Sequence, residues 1–145
     1  MNIRNKRIVL DTNVWIHGLR QDRGHQACSE LLGKLRTLQV VIPRQVLVEL
    51  QANLSSQEYQ SFWQLINSYS SKVEISWDHA PIERFNRYRR LGCRRGDAAV
   101  AALTEHVGAE ALVTENRELL RNVSTVPFRL LSSSDLLEEL EHGEI

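Results

Sequence analysis

The sequence predicts an α/β fold with a mainly parallel sheet covered by helices on both faces. Two observations carry this. Five short runs rich in Val, Ile and Leu lack the polar alternation of half-exposed strands, and helix-period patterns separate them. At 145 residues the chain is long enough for one domain with a real core and too short for two, so 1–145 reads as a single domain.

The first strand, 8–10, breaks off at Asp11-Thr12-Asn13, and helical spacing resumes through Val14, Trp15 and Ile16. Asp, Thr and Asn cap helices and form turns. An acid at the carboxyl end of a buried parallel strand also sits where open α/β sheets place their ligand crevice. Cys28, Leu31, Leu32, Leu35 and Leu38 predict a helix over 25–38, followed by a strand over 39–42. Pro43 suits the first turn of the next helix, which carries Val46, Leu47, Leu50 and Leu54 on one face. Ser55 or Ser56 caps a helix whose Tyr59, Phe62, Trp63 and Ile66 stripe reads as core packing. A third strand spans 72–75. Gly96-Asp97 opens an alanine-rich helix, whose small side chains permit close approach to a sheet, and Gly108 ends it. The strand at 111–113 breaks off at Thr114-Glu115-Asn116 much as the first does at Asp11. A strand over 126–130, a turn at 132–134 and a helix around 135–141 close the chain.

Net charge is zero, which argues against a generic polyanion binder, but the charge is unevenly distributed. Six of the twelve residues in 84–95 are arginine, interleaved with Phe85 and Tyr88. This is either a phosphate-neutralising surface or a helix that buries Ile82, Phe85 and Leu91 beneath solvated arginines. From Asp135 onward there are five acids, Glu144 the last, and no Lys or Arg: a solvated acidic face or tail. Cys28 and Cys93 match no metal spacing and form no disulfide framework, which suggests a reducing compartment. The run at 8–10 is too short for a signal-peptide core and nothing approaches a membrane span, so a cytoplasmic protein is expected.

Four acidic or acid-like positions stand at the edges of apolar elements. Asp11 ends the first strand, Glu49 flanks the helix after the second, Asp97 opens the alanine-rich helix, and Glu115-Asn116 ends the fourth strand. In a parallel sheet, strand ends and the helix starts that follow them share one edge, so these groups would converge. Clustered carboxylates repel and lose solvation unless a hard cation lies between them. Oxygen donors suit Mg²⁺ or Mn²⁺, whereas Zn²⁺ prefers His or Cys, and the five histidines are scattered. Taken singly, each residue also has a structural role as cap, dipole partner, surface acid or turn former.

The stretches Ile8-Val9-Leu10-Asp11-Thr12-Asn13, Pro43 through Glu49, Gly96-Asp97-Ala98-Ala99-Val100-Ala101-Ala102 and Leu112-Val113-Thr114-Glu115-Asn116-Arg117, in this order, resemble the PIN-domain family of metal-dependent nucleases, which includes the ribonuclease toxins of bacterial toxin–antitoxin pairs. The resemblance implies a three-layer α/β/α sandwich of about five strands. It also implies a Mg²⁺- or Mn²⁺-dependent endoribonuclease that hydrolyses RNA phosphodiester bonds. Asp11, Glu49 and Asp97 carry over as its acidic residues. At the fourth position, often an acid, stands Asn116, with Glu115 adjacent as the alternative ligand.

Asp11, Glu49, Asp97 and Asn116 are therefore the expected catalytic and metal-binding set. Thr12, Asn13 and Thr114 would support them by hydrogen bonds. Arg90, Arg94 and Arg95 would grip RNA phosphates, with Phe85 or Tyr88 stacking on a base. The same resemblance implies an antitoxin partner over the acidic cleft and a homodimer formed through the helix at 59–66; no membrane association is expected, since no apolar run is long enough. A rival reading is a non-catalytic PIN-like module that binds RNA or protein, its fourth ligand position weakened. A phosphoacceptor domain built on Asp11 is disfavoured, since Lys6, Lys34 and Lys72 are the only lysines.

Overall fold

Ile8, Val9 and Leu10 are completely buried, and so are Ala111, Leu112 and Val113. Strands with no polar face must be covered on both sides. The computed structural model, which describes residues 3–122 and 126–142, has this arrangement. Strand β1 (Arg7–Leu10) leads into α1 (Thr12–Arg20) and α2 (Gln26–Leu32). Strand β2 (Gln39–Pro43) is followed by α3 (Arg44–Asn53) and α4 (Ser56–Ser68). Then come β3 (Val73–Ser76), α5 (Ile82–Arg90), α6 (Arg95–His106), β4 (Ala111–Val113), α7 (Arg117–Asn122), β5 (Arg129–Leu131) and α8 (Ser133–His142).

All strand pairs are parallel, in the order β3-β2-β1-β4-β5. The chain builds from β1 toward one edge, then returns to the other side of β1 to add β4 and β5. The switch point therefore lies between β1 and β4, where open α/β sheets bind ligands. Leu10 pairs with Val113, and the Asp11 N–H donates to the Val113 carbonyl at 2.8 Å, so the two strands end level. Helix α6 packs against β2 and β4 through small buried side chains, Ala98, Ala101 and Ala102 among them. On α4, Ser55 and Glu58 form a reciprocal capping box, and Phe62 meets Trp15 edge-on at 5.2 Å. Phe62 and Ile66 are buried, while Tyr59 and Trp63 are half-buried, so the aromatic stripe is largely core. Among the described residues no helix is long and apolar enough to cross a membrane.

The structure corrects several expectations. The helix expected over 25–38 stops at Leu32, because Gly33, a poor helix former, lets the chain turn toward β2. Leu35 and Leu38 remain buried through a 3-10 turn instead. Pro43 ends β2 in extended geometry and sits just before α3 rather than within its first turn. The last strand falls at 129–131, not 126–130, and the short α7 was not expected. Glu144 lies outside the described residues.

Helix α5 fits neither reading of the arginine cluster. Tyr88 is fully buried, so it cannot stack on a base, while Ile82 and Leu91 are exposed and Phe85 is half-buried. Glu105 of α6 accepts hydrogen bonds from the Tyr88 hydroxyl (2.9 Å) and from Arg87, and pairs with Arg84 Nε at 3.1 Å. Arg89 donates to the Cys93 carbonyl. Two of the six arginines thus fasten α5 to α6, and Arg89 braces the turn between them. Replacing Glu105 by Ala strands the buried Tyr88 hydroxyl and is expected to cost about 1–3 kcal/mol in urea unfolding. In a Tyr88→Phe background the same replacement should cost clearly less, because no orphaned hydroxyl remains. An equal cost in both backgrounds would show that Tyr88 is not the partner that matters.

Candidate functional site

Asp11 caps α1 from the end of β1 and is only 3% exposed. Its Oδ1 accepts from the Thr12 N–H at 2.8 Å, and its Oδ2 from the Thr114 hydroxyl at 2.8 Å. Burial nevertheless pushes its pKa up to about 6, against the lowering effect of those two donors, and the negative charges of Asp97 and Glu49 push the same way. Asp11 is therefore both a helix cap and a member of a carboxylate cluster.

Glu49 reaches this cluster from α3. Thr12 donates to its Oε1 at 2.5 Å, and Gln45, one helical turn earlier, donates to its Oε2 at 3.0 Å. Gly96, in the first turn of α6, lies so close that a Cβ there would overlap Glu49 Oε2. Asp97 follows it, half-buried, with its pKa raised by burial and then by Glu49, and lowered in part by Arg94 and by the bond from Asn116. Glu49, Arg94, Gly96, Asp97, Asn116, Arg117 and Glu118 line an open cleft of about 480 Å³, with Asp11 set deeper beside it.

The fourth position resolves into two different roles. Asn116 Nδ2 donates to Asp97 Oδ2 at 3.2 Å, while its Oδ1 accepts from the backbone of Glu118 and Leu119 and so caps α7. Its oxygen is committed to the helix, and its amide orients Asp97. Glu115 leaves the cluster altogether. Adjacent residues at a strand end point apart, and its carboxylate accepts from the Ser133 N–H and lies beside Cys28 and His25. Asn13 spans the break, donating to the Thr114 hydroxyl and accepting from the Glu115 N–H. Of the three candidate arginines, Arg94 lines the cleft, whereas Arg90 and Arg95 are exposed and do not.

Glu49 and Asp97 line the cleft and Asp11 lies near enough to feel the charge of both, and oxygen donors of this kind suit a hard divalent ion, although the three do not bring one oxygen each to within 4.8 Å of the others. The PIN domain family model matches residues 8–124. The chain belongs to the PIN domain family.

Solved structures share the PIN fold at low identity. VapBC2 from Rickettsia felis, solved bound to a DNA fragment from their promoter, superposes with a TM-score of 0.61 at 20% identity, covering 87% of this chain and 98% of that one. FitAcB from Neisseria gonorrhoeae gives 0.61 at 13% identity, over 88% and 98%. PAE2754 from Pyrobaculum aerophilum gives 0.57 at 17% identity, over 98% and 99%. No curated protein sequence matches the chain.

Within this PIN domain, sequence reasoning missed Gln45, Gly96, Arg117 and Glu118 as parts of the site. Gln45 was readable: it precedes Glu49 by four residues, the spacing at which side chains meet on a helix. The need for Gly96 arises only from the approach of α6 to α3, which no local pattern records.

Proposed function

We propose that this PIN domain is a divalent-metal-dependent endoribonuclease and serves as the toxin of a toxin–antitoxin pair. The observation that supports the reading is that Asp11, at the end of β1, and Asp97, at the start of α6, both lie close enough to Glu49 of α3 for its charge to raise their pKa. Asp11 and Asp97 would hold Mg²⁺ or Mn²⁺, with Glu49 beside them. Bound there, the cation supplies charge neutralisation at the phosphate and a more acidic water.

The chain's own residues do the remainder. Thr12 and Gln45 fix both oxygens of Glu49, which orients the attacking water. Thr114 holds Asp11, and Asn116 positions Asp97 without lending its oxygen. Arg94 at the cleft wall offsets phosphate charge, and exposed Arg90 and Arg95 extend the basic rim along the RNA. RNA as substrate, an antitoxin polypeptide over the acidic cleft, homodimerisation through α4 and a cytoplasmic location follow from the family resemblance.

The test is cleavage of an unstructured RNA oligonucleotide. Cleavage should require Mn²⁺ or Mg²⁺, stop on chelation with EDTA and return on adding Mn²⁺. The committed oxygen of Asn116 favours one competing outcome, the non-catalytic module. That reading holds if RNA is retained in EDTA at unchanged affinity and no cleavage appears with metal.

A further inference from the structure

On the far side of Asn116 lies a second group of donor atoms, distinct from the acidic cleft. His25 and Cys28 are three residues apart, flanking the start of α2, and Glu115 enters from the end of β4. Glu115 Oε1 stands 3.5 Å from Cys28 Sγ and 3.6 Å from His25 Nδ1, and one donor atom from each residue lies within 4.8 Å of the others. Zinc–ligand bonds of ~2.0–2.3 Å at tetrahedral angles place neighbouring donor atoms ~3.3–3.6 Å apart. The two distances to Glu115 match edges of such a tetrahedron, and the His25–Cys28 pair lies within 4.8 Å.

The surroundings hold the donors in that arrangement. The Ser133 N–H, at the start of α8, donates to Glu115 Oε2 at 3.2 Å and leaves Oε1 to face the sulfur and the imidazole. The Ser133 hydroxyl lies 3.4 Å from Cys28 Sγ. The ring of His25 stacks on that of His17, with centroids 3.6 Å apart and planes within 10°, and His17 Nδ1 is held by Asp22 at 2.7 Å. Partners of this kind fix the orientation of metal ligands. His25 and Glu115 line an open cavity of about 450 Å³, which gives access from solvent, and buried Cys28 lies behind them.

We propose that His25, Cys28 and Glu115 form a three-ligand site for a borderline-soft divalent ion of the Zn²⁺ class, with water from the cavity as fourth ligand. A thiol and an imidazole select against Mg²⁺ and Mn²⁺, so this site and the acidic cleft take different ions. Binding forms the metal–sulfur bond as the Cys28 thiol proton passes to solvent, and His25 binds as neutral imidazole. The ion would tie α2, the loop after β4 and α8 together one residue from Asn116, the residue that orients Asp97. The proposal does not depend on the nuclease reading.

Co²⁺ titration of the full chain tests it. A thiolate-to-cobalt charge-transfer band with four-coordinate visible absorption should appear, saturate at one ion per chain and disappear on adding Zn²⁺. The band should persist in Cys93→Ser and in Asp11→Asn, and vanish in Cys28→Ser. His25→Ala changes a partly exposed side chain and leaves the buried sulfur in place. It should keep the fold by circular dichroism while weakening Co²⁺ binding by more than the ~10–100-fold that a lost supporting partner costs. Absence of the band in the unaltered chain overturns the site. So does a band that survives Cys28→Ser, is lost in Cys93→Ser, or is unchanged in His25→Ala.

Discussion

Asp11→Asn should abolish divalent-dependent RNA cleavage and, in the same protein, raise the stability of the chelated form at pH 8. The activity loss is expected to exceed ~100-fold, the upper end of what losing a mere supporting partner costs. The stability gain comes from the same burial that makes Asp11 a good ligand. Its carboxyl titrates near 6 in the folded protein against 3.8 in the free chain. The folded state therefore holds this proton more tightly, and stability falls as pH rises through the window from about 4 to 6. Above that window the unneutralised charge costs the metal-free fold about 3 kcal/mol.

Asn carries no charge and can still accept from the Thr12 N–H, but the Thr114 hydroxyl, whose oxygen already accepts from Asn13 and from the Asn116 N–H, loses its acceptor. Weakened hydrogen bonding should reduce the net gain to about 1–3 kcal/mol. That gain should shrink as pH approaches 4. RNA cleavage by gel and urea unfolding in EDTA at several pH values measure the two effects. Unchanged cleavage would remove Asp11 from the chemistry, and a destabilised variant at pH 8 would contradict the electrostatic account.

Gly96→Ala should damage the site while leaving the fold intact. The added methyl overlaps Glu49 Oε2 and approaches Gln45 Nε2 to 3.6 Å. Glu49 Oε2 is the free end of a flexible side chain, so the carboxylate moves rather than the backbone, giving up the bond from Gln45 to Oε2 and the bond from Thr12 to Oε1. Mn²⁺ affinity should fall by about 10- to 100-fold, with a parallel fall in kcat/KM. Stability should stay within about 1 kcal/mol, because Ala is a better helix former than Gly by roughly that amount. Mn²⁺ binding followed by electron paramagnetic resonance, beside a thermal melt, separates the two. A folded variant with undiminished Mn²⁺ affinity would show that the position of Glu49 does not govern metal binding.

Much of the central sheet was legible in the sequence because its signals are local. The buried runs at 8–10 and 111–113 end at polar triplets, and β4 falls at the expected residues. Asp11, Glu49 and Asp97 could be placed at one sheet edge because parallel topology forces strand ends together. What stayed hidden depends on orientation or on distant partners. Six residues of α7 span too few turns for periodicity to register, so nothing in the sequence signalled that Asn116 caps a helix. Helix α5 rotates Tyr88 inward because Glu105, seventeen residues on, satisfies its hydroxyl. Cys28 matched no metal motif because one of its neighbours, Glu115, is 87 residues away.

Thr114, Glu115 and Asn116 face alternate sides of the chain, the first and third toward the acidic cluster and the middle one toward His25 and Cys28. A three-residue step thus serves as a ruler between two clusters of opposite chemical taste. Substituting any one member disturbs a single cluster. Adding or deleting one residue would exchange the faces, presenting Glu115 to the carboxylates and an amide to the thiol. What this loop must preserve above all is its length.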